Sequence, residues 1–86
     1  MKTVFLLAAR YDGLPVIPAE QVCRDFFAPM TLPKFIDKIN RGEITLPLVR
    51  MTDSQKGARG VNLNDLAAYI DARSDAARRE AKAMQA

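Results

Sequence analysis

Thr31, Lys34, Lys38 and Arg41 recur at intervals of three and four residues, which on an α-helix turns one hydroxyl and three cations toward the same side. The chemistry of that set is anion recognition. Lysines act as point charges on phosphate oxygens, arginine offers a planar fork of donors, and a hydroxyl beside helix N-terminal N–H groups completes a phosphate anchor. A second set, Arg50, Gln55, Lys56 and Arg59, flanks and fills a polar stretch, 52–60, that contains two glycines. One amide and two cations on such a loop, with Arg50 ahead of it, suit contacts to a nucleic-acid backbone or minor groove. The distribution of charge agrees. The chain carries a net charge of +3, yet residues 1–30 and 61–86 each sum to zero, so the whole excess falls in 31–60.

Other chemistries are poorly supplied. There is no histidine, which removes the usual general base and the commonest metal ligand, and a single cysteine makes neither an intrachain disulfide nor a Cys-rich zinc site. Neither an enzyme nor a metal or other cofactor is expected. Cys23 reads as a small apolar core residue. The 86 residues suffice for one compact domain, in which a large substrate pocket would consume much of the core. The apolar run Val4 to Ala9 is too short for a signal sequence or a membrane span, so a soluble intracellular protein with no membrane partner is expected.

The elements that must position the two sets follow from local signals. Val4 to Arg10 reads as a short helix ending at the Asp12-Gly13 turn, and Leu14 to Pro18 as extended chain around its prolines. A helix from Pro18 to about Phe27 carries Val22, Cys23, Phe26 and Phe27 as its apolar stripe, and Ala28 to Met30 forms a turn. The next helix begins at an N-cap, Thr31, and ends at Arg41 before Gly42, with Leu32, Phe35, Ile36 and Ile39 inward. Ile44 to Met51 is β-rich, and 52–60 joins it to a return strand at Val61. A final helix starts at Asn62 or Asn64, buries Leu63, Leu66, Ala67 and Ile70, and becomes alanine-rich and charged after Ser74. The fold class expected is α+β, mostly α: a winged helix-turn-helix of three short helices, a two-stranded wing and a C-terminal helix. Residues 1–73 would form the DNA-binding domain and 74–86 a projecting helical tail.

Three blocks, FLLAARYDG at Phe5 to Gly13, VIPAEQVCRDFF at Val16 to Phe27 and SQKGARGVNLNDLAAYIDAR at Ser54 to Arg73, resemble the pyocin activator family in order and spacing. The resemblance implies a sequence-specific DNA-binding activator of a pyocin or prophage gene cluster, acting in the bacterial cytoplasm at the nucleoid. It also carries Gln55, Lys56 and Arg59 over as the wing. The partners it implies are double-stranded promoter DNA and RNA polymerase. One winged helix binds weakly, so a homodimer or higher homo-oligomer on paired sites is expected. Two other readings use the same residues: an excisionase-like protein that bends DNA, and a small prophage protein whose target is a host protein.

Overall fold

The structure, a computed structural model, describes residues 2–53 and 58–85. In chain order its elements are α1 (Thr3–Arg10), β1 (Val16–Pro18), α2 (Ala19–Phe26), α3 (Leu32–Asn40), β2 (Val49–Arg50), β3 (Arg59–Asn62) and α4 (Leu63–Gln85). The class is α+β and mostly helical. The strand content differs from the two-stranded expectation, because β1, β3 and β2 form one three-stranded antiparallel sheet in that order.

The extra strand is the proline-flanked segment. Val16, Ile17 and Pro18 pair with Asn62, Val61 and Gly60. Pro18 has no N–H to donate, so this short strand is tolerated at a sheet edge. Val49 and Arg50 pair with Gly60 and Arg59 on the other side of β3. Ile44 and Leu46, expected within a longer strand, instead reach the core from irregular chain and are buried there.

Glycine and asparagine mark the helix ends as their chemistry requires. Gly42 has φ +78 and its N–H donates to the Ile39 carbonyl, while the Glu43 N–H donates to the Lys38 carbonyl. This paired closure of the last turn needs the left-handed conformation that glycine adopts without steric cost. At α4, Asn62 Oδ1 accepts from the Asn64 and Asp65 N–H groups at 2.9 and 3.4 Å, so Asn62 is the N-cap. The Leu63 N–H donates to the Pro15 carbonyl, tying the start of α4 to the chain entering β1.

The core gathers every element except β2: Leu7 and Tyr11 of α1 and its end, Ile17, Val22, Cys23, Phe35, Val61, Leu66 and Ala67 are all buried. Phe27 bridges α3 to α4, with its ring 4.7 Å from Phe35 and 5.9 Å from Tyr69. Cys23 is buried, its thiol donates to the Met30 carbonyl, and burial pushes its pKa up, which fits a structural role.

One polar knot fastens α1 to α2. The buried Tyr11 hydroxyl donates to Asp25 at 2.8 Å, and the Arg10 guanidinium lies 3.3 Å from the same carboxylate. The Tyr11 hydrogen bond, more than the Arg10 charge, holds Asp25 below the ordinary aspartate value of 3.8. A lowered carboxylate stabilises the fold above its unfolded value, and that contribution disappears as pH falls through the folded value. The thermal midpoint is therefore expected to drop on acidification from about pH 5 to below about pH 4. Asp25→Asn should flatten that limb of the profile, as followed by circular dichroism melts.

Candidate nucleic-acid interface

Helix α3 is oriented by its buried face. Phe35 is completely buried, and Leu32, Ile36 and Ile39 are partly covered. With Phe35 and Ile39 inward, 3.6 residues per turn puts Pro33, Lys34, Asp37, Asn40 and Arg41 outward, and all five are exposed. Two members of the expected basic face, Lys34 and Arg41, belong to this outward set. Thr31 is exposed at the N-cap position with extended backbone, but its side chain makes no capping hydrogen bond.

Lys38 departs from the expectation of an outward side chain. Its side chain is 30% exposed, and its Nζ lies 3.9 Å from Glu43, which the Gly42 turn folds back beneath it. It stands on the flank of α3 and, with Thr31 and Lys34, lines a cleft against Phe27 to Met30. Arg41 is paired with Asp37 one turn earlier at 3.2 Å; both are exposed, so the pair orients the guanidinium more than it stabilises the helix.

The opposite flank of α3 faces the sheet. Arg59 lies beside Leu32 and Ile36 of α3 and Pro18, Ala19 and Glu20 at the start of α2. Arg50 is its partner across the antiparallel pair, so the two arginines share a face of the β2–β3 ribbon. Gln55 and Lys56 lie outside the described residues. The arrangement thus brings together Thr31, Lys34 and Lys38 on one side of α3 and pairs Arg50 with Arg59 on the other, with Arg41 between.

Two outward residues went unnoticed in the sequence, Asp37 and Asn40. Both are legible on a helical wheel centred on Phe35 and Ile39, and a search for cations alone passes over them. Their chemistry matters, since asparagine pairs with the adenine edge and aspartate accepts from the cytosine amino group.

A family model described as pyocin activator protein PrtN matches residues 3–77, which takes in α1 through the greater part of α4. The chain belongs to this pyocin activator family. Curated proteins and solved structures gave no match. For a pyocin activator the expected role is regulation. Among the described residues, no three His, Cys, Asp or Glu side chains are grouped to hold a metal ion, and no helix is long and apolar enough to cross a membrane.

Proposed function

We propose that this pyocin activator is a winged-helix transcription factor that binds double-stranded promoter DNA in the bacterial cytoplasm. In this reading α2 and α3 form the helix-turn-helix, and the outward face of α3 enters the major groove. The segment 52–60, which carries the chain from β2 into β3, is the wing, lying along the phosphate backbone. The observation that carries the reading is the outward face of α3, where Lys34, Asp37, Asn40 and Arg41 stand clear of the core beside a ribbon bearing Arg50 and Arg59.

Each residue then has a role its chemistry supports. Asn40 and Arg41 read base edges, the latter held in line by Asp37. Lys34 and Lys38 neutralise phosphates along one strand. Thr31 and the free N–H groups of the first turn of α3 anchor a phosphate at the groove edge. Arg50, Gln55, Lys56 and Arg59 hold the backbone from the wing. Recruitment of RNA polymerase follows from an activator's role.

Selection of bound sequences from random duplex DNA, followed by a salt titration on the selected site, tests this directly. Three phosphate contacts should give a log–log salt slope of about −3, and six about −5, at roughly −0.9 per contact. Affinity that stays flat between about 50 and 200 mM salt would exclude the phosphate-binding face. A reporter driven by the selected site should respond to the protein; DNA bending without any rise in transcription would favour an architectural role.

A further inference from the structure

The groove between the end of α2 and α4 has about 410 Å³ of space and is lined mainly by Phe26, Phe27, Tyr69, Ile70 and Ala77, together with Arg73 and Ser74. Phe26 is 40% exposed there. Farther along, α4 leaves the domain: residues 77–85 are all exposed, and Met84 is 87% exposed. An open apolar groove and an unpartnered apolar side chain sit on the same helix, fourteen residues of helix apart from Ile70 to Met84.

We propose that these two features satisfy each other between two copies of the chain, whose α4 helices pack antiparallel. Ile70, Ala77 and Met84 recur every seven residues, with Ser74 and Ala81 between them, which is the 3.5-residue spacing of a helix–helix seam. Crossing two such seams near residues 75 and 76 sets Ser74 against Ala77 of the second copy and Ala81 against its Ile70. Met84 then enters the groove beside Phe26 and Ile70 of the second copy. Small side chains at the centre let the backbones approach closely, and the larger ones fill the two ends.

The flanking charges select the direction. In the antiparallel register Asp71 lies opposite Arg78 of the second copy, and Arg73 opposite its Glu80. By two-fold symmetry each pair occurs twice, and all four are attractive. A parallel pairing would set Arg73 beside Arg78 of the second copy on both sides, two repulsions. The groups have capacity for these contacts. Asp71 accepts from the Thr3 hydroxyl, which leaves further acceptor sites on its carboxylate. Arg78 donates to Asp75 through one of its five N–H bonds. Nothing in the pairing depends on DNA.

The test is sedimentation equilibrium on the full chain without DNA, over concentrations from about 1 to 200 μM. A monomer–dimer equilibrium is expected, and a chain that stays monomeric throughout overturns the proposal. Arg73→Glu should weaken dimerisation by about tenfold or more, since it turns two attractions into two repulsions. The double variant Arg73→Glu/Glu80→Arg should recover to within about threefold of the parent. A dimer that Arg73→Glu leaves unchanged or tightens is built on another face or runs parallel, and either result overturns the assignment. Position 73 is exposed, so helix content should be unaltered; Glu80→Arg alone should weaken the dimer similarly and guards against a folding artefact. Under mild oxidation, the Ser74→Cys/Ala77→Cys chain should form a covalent dimer, and cross-linking of Met84→Cys instead would contradict the antiparallel direction.

Discussion

Replacing Phe35 with alanine should lower the unfolding free energy by about 3 to 5 kcal/mol, while Lys34→Glu, one residue away, should leave it within about 0.5 kcal/mol and weaken DNA binding. Phe35 is wholly buried and is the anchor of α3, since its ring packs on Phe27 and Phe27 packs on Tyr69 of α4. Its truncation leaves a cavity where α2, α3 and α4 meet, and small domains have a margin of only about 5 to 15 kcal/mol to lose. Thermal melts should show a large fall for Phe35→Ala.

Lys34 is exposed and outside the ion pairs that engage Lys38 and Arg41, so its reversal disturbs no internal contact. In the proposed complex it brings a negative charge against phosphate and removes one cation from the salt slope, a change of about 1. Mobility-shift titrations of the two variants measure both halves. If Lys34→Glu bound the selected DNA as tightly as the parent, the outward face of α3 would not be the DNA-facing surface.

Gly60→Ala should destabilise by about 2 kcal/mol or more, lowering the melting temperature by roughly 10 °C for a domain of this size. Gly60 is buried in β3 opposite Pro18 on one side and Val49 on the other. A Cβ there would sit 2.5 Å from Val16 Cγ1 and 2.8 Å from the Ile17 carbonyl oxygen. The valine methyl could rotate, but the carbonyl belongs to the backbone of β1, so the strands must separate. The same substitution should also reduce DNA binding if the ribbon's position beside α3 matters. Gly42→Ala tests a different cause: its Cβ would meet open space, and the cost comes from the left-handed φ alone.

The parts of this fold written in neighbouring residues were legible, and those written across the chain were not. Thr31, Pro33 and Gly42 bracket α3 within a residue of its observed ends, because N-terminal proline and a C-terminal glycine act on the backbone beside them. Asn62, one of the two starting points expected for the last helix, likewise caps α4. By contrast, the two residues between Pro15 and Pro18 carry no periodicity that separates a strand from an extended loop, and β1 exists only because β3 passes beside it. Ile44 and Leu46 looked like strand residues since burial and β-propensity favour the same side chains. The site was half legible for a related reason. Charge is visible in any sequence, but whether Lys38 points outward depends on the turn that brings Glu43 under it.

Asn62 belongs to two elements at once, as the last residue of β3 opposite Val16 and as the cap of α4, so no loop separates ribbon from helix. Mechanically, β3 and α4 are one lever with its fulcrum at Asn62. The arm beyond it is 23 residues of helix, about 34 Å at 1.5 Å per residue. A tilt of about 5° at the ribbon, small enough to follow a change in DNA groove width, would move the far end of that arm by roughly 3 Å. In the proposed complex, strain in the ribbon would therefore reach α4 directly, with no loop between β3 and α4 to absorb it.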